Sequence, residues 1–258
     1  MKVKELVHRI EGLYPVQTAM GFDNVGLLCG HHEQEIQAIY IALDVSDSNI
    51  KAAIKSGANL LLTHHPLLLS PISSVTSNST IGRYLLQLIE NRIACYTVHT
   101  NYDVSRMAVL VGELLDLEVM EVLEETHADG LLGIGRIGVI QEECALETLA
   151  AQVKDKLTLN QLRIYGDLGQ SIDRIAVCPG SGKSVIEAAI LKKADVLITG
   201  DIGHHDALYA LDNGLSIIDA GHYGTEFPFV KDMKHWMNRE FPQISTFTEP
   251  MHHPYSTL

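Results

Sequence analysis

The chain has 258 residues, 46% of them hydrophobic and 20% charged, with no long low-complexity tract, which suffices for one large or two small domains with real cores. A formal net charge of −13 and a sequence pI near 5.4 give no basic footprint for nucleic acid or an anionic membrane surface. No apolar run reaches the length of a membrane span, and MKVKELVHRIEGLYP has helical rather than signal-peptide periodicity, so a soluble cytoplasmic protein is expected.

In chain order, the first apolar burst, Ile36–Leu43, predicts a strand, followed by a helix over Ser48–Ser56 and a strand over Asn59–Thr63. A helix over Ile81–Asn91, a strand over Ile93–Val98 and a helix over Val104–Leu115 come next. The interval Glu121–Asp173 is patterned differently and predicts an antiparallel pair around Leu131–Ile140. Alternation then resumes, with strands Arg174–Cys178, Asp195–Thr199 and Leu215–Asp219 and helices Ser184–Lys192, His204–Asn213 and Glu226–Glu240. Strands that are apolar throughout and separated by helices predict a three-layer α/β fold with mostly parallel sheets covered on both faces.

The chain repeats itself. IYIALDVSDSNIKAAIKSGANLLLTHH aligns without gaps onto IAVCPGSGKSVIEAAILKKADVLITGD, and ENRIACYTVHTN resembles LDNGLSIIDAGHY more loosely. Two related α/β halves are therefore expected, residues 1–125 (with room for C-terminal residues to complete it) and 126–258. The four cysteines, Cys29, Cys95, Cys144 and Cys178, form no CxxC pair, and three lie in apolar strand-like runs as expected buried thiols.

The 13 histidines carry the compositional signal. Ligand sites in open α/β sheets collect at the carboxyl ends of parallel strands. Four strands here end in chemical clusters: Thr63-His64-His65-Pro66, His99-Thr100-Asn101-Tyr102-Asp103, Gly200-Asp201-Ile202-Gly203-His204-His205 and Gly221-His222-Tyr223-Gly224-Thr225-Glu226. Imidazole and carboxylate suit zinc, iron, manganese or nickel, and the absence of cysteine argues against a structural zinc site. Adjacent strand residues point to opposite faces, so His64 and His65 can serve two neighbouring ions only at an exit bent by Pro66. His222 and Glu226 stand i, i+4 and share a face if a helix begins there. Asp103 can be a ligand or an N-cap, and Glu226 a ligand or a first-turn acid. A lone strand-end histidine is more often structural; the coincidence of two halves both ending strands in histidine and carboxylate favours a metal site. His252 and His253 fall in a proline-flanked tail, and His8, His31, His32, His127 and His235 read as surface residues.

Two motifs are set aside. CPGSGKS lacks the first glycine of a phosphate-binding P-loop, Val177 standing in its place, and reads as the first turn of a repeat helix. GIGRIG matches GxGxxG in letters only, and predicts an antiparallel hairpin or bulge.

FDNVGLLCG, LLTHHPLLL, HTNYD, CPGSG, ADVLITGDIGHHDA and IDAGHYGTE occur in order from residue 22 to residue 226, and with them the chain resembles the Nif-three-like family, also labelled type 2 GTP cyclohydrolase I homologues. The resemblance implies two similar α/β domains, a dinuclear metal centre between them and a toroidal homohexamer. Its ligands would be His64, His65, Asp103, His222 and Glu226, with His99 and His205 close by. Where many relatives have tyrosine this chain has His204, and the interval Glu121–Asp173 is too short for the inserted domain of some relatives, so this would be the compact form. The expectation is a hydrolase of a small nucleotide-like or cyclic-amide-like substrate. Two divalent ions would lower the pKa of a shared water, and His99 or His205 would move protons. The alternative is a non-enzymatic protein that binds and delivers a metal or metallocofactor. No nucleic-acid or membrane partner is expected in either case.

Overall fold

The computed structural model describes residues 1–128, 130–253, 255 and 256. Its strands are β1 (Gly26–Cys29), β2 (Ala38–Ala42), β3 (Leu60–Thr63), β4 (Ala94–Thr97), β5 (Glu118–Glu125), β6 (Gly133–Ala145), β7 (Arg163–Tyr165), β8 (Ser171–Ser181), β9 (Val196–Gly200), β10 (Ser216–Asp219) and β11 (Ser245–Thr248). Among the described residues no helix is long and apolar enough to cross a membrane. Two compact units divide the chain: Met1–Tyr102 with Phe229–His252, and Asp103–Pro228 with His253–Leu258. The crossover falls at residue 103 and not at 126 as expected, because β5 pairs with β6 in the second sheet. The segment from Phe229 returns to the first unit, where β11 lies parallel to β2.

In the first unit the sheet order is β1-β4-β3-β2-β11, parallel except for β1, which runs antiparallel to β4. The helix Asp47–Ser56 starts where the Ser46 side chain accepts from the Asn49 amide and stops at Gly57, whose φ of 71° suits glycine. The helix Thr80–Glu90 is capped in the same way by Ser79. Ile50, Ala53, Leu85 and Leu88 from these helices form a core with Tyr40, Leu61 and Cys95, while Ile39, Ile41, Leu60 and Leu62 are buried on the opposite face of the same strands.

The second unit has a mixed sheet, β5-β6-β8-β9-β10-β7. Its parallel part, β8-β9-β10, is the repeat of β2-β3-β4, and antiparallel pairings of β5 with β6, β6 with β8 and β7 with β10 extend it. Ile186, Ala189 and Leu197 are buried in its core where Ile50, Ala53 and Leu61 are buried in the first unit, so the aligned apolar positions are the core positions of each half. GIGRIG opens β6 as an antiparallel strand with Gly135 at φ 72°. CPGSGKS runs from the end of β8 into a 3₁₀ turn, Lys183–Val185, and a six-residue helix, Ile186–Leu191. The expected single helix over Val104–Leu115 is instead a π-helical turn, Asp103–Met107, leading into Ala108–Leu114. Such π turns concentrate at functional sites.

All four cysteines are free. Burial pushes the Cys95 thiol up to about 12, and burial, then the charges of Asp103 and Glu226, pushes Cys178 up as well. Iodoacetamide at pH 8 should therefore modify the native protein only at the half-buried Cys29 and Cys144, as read by peptide mass spectrometry. Native labelling of Cys95 or Cys178 as fast as in urea would contradict this assignment.

Candidate metal centre

In the first unit, the ladder between β3 and β2 continues through both histidines: the His64 amide donates to Ala42 O (3.3 Å) and the His65 amide to Leu43 O (2.8 Å). The two rings are tilted by 50° with centroids 4.9 Å apart, and the His99 ring lies 5.1 Å from His64 and 5.5 Å from His65. His64, His65 and His99 each offer a ring nitrogen within 4.8 Å of the others, a group that could hold a metal ion and that includes His99.

Hydrogen bonds decide which nitrogen each ring offers. His64 Nδ1 lies 3.0 Å from Val98 O, and a carbonyl only accepts, so Nδ1 carries the proton and Nε2 the lone pair. His65 Nδ1 donates to Asp44 Oδ1 at 2.8 Å and His99 Nδ1 to Asp23 Oδ1 at 2.9 Å. Burial opposes ionisation of Asp23, but hydrogen bonds from His99 and from the Thr100 hydroxyl and amide outweigh it and hold its carboxyl well below the usual carboxylate range. Behind Asp44, the buried Glu249 accepts from the Leu43 amide (2.6 Å) and the Asn49 side chain (2.7 Å). Desolvation raises its pKa, and these two bonds counter part of the rise.

In the second unit, Gly221 at φ 79° turns the chain from β10 into a short helix, His222–Glu226. His222 Nδ1 donates to Asp201 Oδ2 at 2.8 Å, and Nε2 faces Glu226 Oε2 at 3.1 Å. Glu226 is buried, and Asp103 and Glu226 bring carboxylate oxygens within 4.8 Å of each other. Gly180, at φ 76°, is the CPGSG glycine that makes room for this carboxylate: a Cβ there would collide with Glu226 Oε1. Its amide donates to Thr225 Oγ1 at 2.9 Å, fixing the turn against the ligand helix.

His204 and His205 occupy the exposed first turn of the helix His204–Asp212, their rings 5.3 Å apart. Among the described residues no metal-competent group includes either of them. His8, His31, His32, His235 and His252 are exposed and His127 is half-buried, while His253 packs on Tyr223 with ring centroids 5.6 Å apart. Of the three carboxylate acceptors, Asp201 lies in a strand-end cluster that the sequence singles out, and Asp23 and Asp44 do not. A signal for two of them existed: Asp44–His65 and Asp201–His222 are both 21 residues apart, each joining the end of one parallel strand to the end of the next.

All four histidines thus have Nδ1 anchored to oxygen and Nε2 presented, the arrangement that supporting groups impose on metal-ligating imidazoles. In the first unit three imidazoles, and in the second the His222 imidazole with the Asp103 and Glu226 carboxylates, are donors that suit divalent ions of the zinc, iron, manganese or nickel group.

The Clostridium perfringens protein named GTP cyclohydrolase 1 type 2 homolog is 36% identical over 230 residues, 88% of each chain. Among solved structures, reduced HcgD from Methanocaldococcus jannaschii aligns with a TM-score of 0.84 and 32% identity over 97% of this chain and 98% of that one. A Bacillus cereus protein related to NIF3 shares the fold with a TM-score of 0.91 and 24% identity, over 100% and 99% of the two chains. The family model described as Duf34/NIF3 (NGG1p interacting factor 3) matches residues 1–254, and the chain belongs to that family.

Proposed function

We propose that the protein holds two divalent metal ions per chain through His64, His65, Asp103, His222 and Glu226, and hydrolyses a small nucleotide-like or cyclic-amide-like substrate. The observation that supports this best is the shared tautomer: Val98 O, Asp44, Asp23 and Asp201 each fix one imidazole with Nε2 outward. Bound divalent ions would supply Lewis acidity toward the scissile bond and a lowered pKa for water. His99, oriented by Asp23, can take up a proton at Nε2 and return it to a leaving group. The relatives' name, GTP cyclohydrolase 1 type 2 homolog, makes purine nucleotides the first substrates to screen. A toroidal homohexamer belongs to the same proposal and would show in light scattering as six times the 28.4 kDa chain mass.

The placement of His205 favours a second reading. It stands exposed and outside the metal-competent groups among the described residues, a placement that also suits a protein that binds and delivers a metal or metallocofactor. Elemental analysis of purified protein, with a nucleotide turnover screen before and after chelation and on restoring zinc, iron, manganese or nickel, separates the two. The hydrolase reading expects bound metal and turnover that chelation abolishes and metal restores. Metal without turnover on any substrate supports delivery, and protein that takes up no metal overturns both.

A further inference from the structure

Beneath the His222 turn lies a buried carboxylate that ligates nothing in the proposed metal set. Asp219, the last residue of β10, has a side chain only 2% exposed. Its Oδ1 accepts from the Gly221 amide at 3.1 Å, and its Oδ2 accepts from the Ile202 amide at 3.3 Å and from the Arg163 guanidinium. Those two amides flank the pair that matters. Gly221 precedes His222, and Ile202 follows Asp201, whose carboxylate holds His222 Nδ1.

Both backbones need such support. Asp201 sits at φ 56°, in the left-handed region that costs a non-glycine residue on the order of 1 kcal/mol or more and persists only where neighbours over-determine it. Gly221 sits at φ 79°. One carboxylate that accepts from both amides fixes the strained strand exit and the turn opposite it at once. Arg163, paired in register with Asp219 across β7 and β10, holds this buried carboxylate in place.

We propose that Asp219 is a positioning residue, which sets the Asp201–His222 pair so that His222 presents Nε2 to a metal ion. This rests on the metal reading of His222, and its test carries a readout that does not.

The experiment uses the full chain with Zn²⁺ as probe. Asp219→Asn cannot accept from both amides and sets its NH₂ group against a donor, the Gly221 amide in one orientation and the Ile202 amide and Arg163 in the other; its Zn²⁺ affinity by calorimetry should fall about 10–100-fold with the circular dichroism spectrum unchanged. Because part of its hold on His222 runs through Asp201, adding Asp219→Asn to Asp201→Ala should cost clearly less than the sum of the two single losses. Unchanged affinity in Asp219→Asn, or losses that simply add, overturns the proposal. Should Asp219→Asn fail to fold, Arg163→Ala, altered at a side chain 63% exposed, takes its place, with a loss within about fivefold in the same direction supporting the proposal and no loss overturning it.

The metal-free readout is the His222 imidazole in ¹⁵N-edited NMR. The wild type should show Nδ1 protonated and held on Asp201, whatever proton Nε2 shares with Glu226, and Asp219→Asn a mixture of rings with and without that Nδ1 hydrogen bond. If the wild type binds no Zn²⁺ the metal reading falls, and the imidazole signal alone decides: a mixture in the variant supports positioning by Asp219, and an unaltered Nδ1 signal overturns it.

Discussion

Glu226→Gln protein is expected to fold normally and to bind divalent metal more weakly by more than the roughly 10–100-fold that loss of a supporting hydrogen bond costs a metal ligand. The substitution keeps the shape of a buried side chain and exchanges an anionic oxygen facing His222 Nε2 for an amide. Its effect on the metal-free protein should have the opposite sign. Asp103 and Glu226 hold carboxylate oxygens within 4.8 Å of each other, and with no cation beside them two like charges in a poorly hydrated place repel. Removing one charge relieves that repulsion, so metal-free Glu226→Gln should melt at or above the metal-free wild-type temperature. Adding metal at about 100 times its dissociation constant stabilises the wild type by ~2.7 kcal/mol, or roughly 5–10 °C, and should leave the variant's melting temperature in place. A melting curve with and without metal, beside metal analysis, reads both effects. Full occupancy with the full thermal shift in Glu226→Gln would remove Glu226 from the ligand set.

The parallel cores of both units were legible because their information is local. Strands such as Leu60–Thr63 and Val196–Gly200 are apolar at every position, and helices such as Asp47–Ser56 carry their own start and stop in Ser46 and Gly57. The strand-end histidines were legible for the same reason, since adjacent imidazoles in an apolar run have few structural uses. What escaped is set by contacts distant in sequence. Glu118–Glu125 joins the second sheet by pairing with β6, and the return of Ser245–Thr248 to β2 has no local signature to give it a partner. Asp23 meets His99 across 76 residues, and nothing near either residue announces the other. His205 shows the converse: a histidine beside a carboxylate in a strand-end motif, carried by the helix His204–Asp212 to an exposed place.

The two halves of the repeat also differ at a position whose cause only packing reveals, and it carries the second large expectation. Gly200 stands where the first half has His64. A Cβ added there would run into the His222 amide nitrogen and lie 2.6 Å from the Gly221 carbonyl carbon and 2.8 Å from Gly180 O, all of them backbone atoms that no rotamer change can move aside. Gly200→Ala should therefore destabilise the second unit by about 3 kcal/mol or more in urea titrations, at the upper end of what overpacking costs. Gly203→Ala, three residues on, serves as the control. Its Cβ meets only the end of the flexible Asp206 side chain, at 2.8 Å from Oδ2, so a change within about 0.5 kcal/mol is expected. Gly200→Ala protein that still folds should also bind metal more weakly, since the atoms it displaces are the backbone that aims His222. Wild-type stability and metal affinity in Gly200→Ala would mean that the β9 and β10 exits have slack, and the absence of a histidine at residue 200 would need another cause. If they have none, the second half has no room for a side chain at the His64 position, because the His222 backbone fills that space, and Asp201, the residue after β9, orients the imidazole instead.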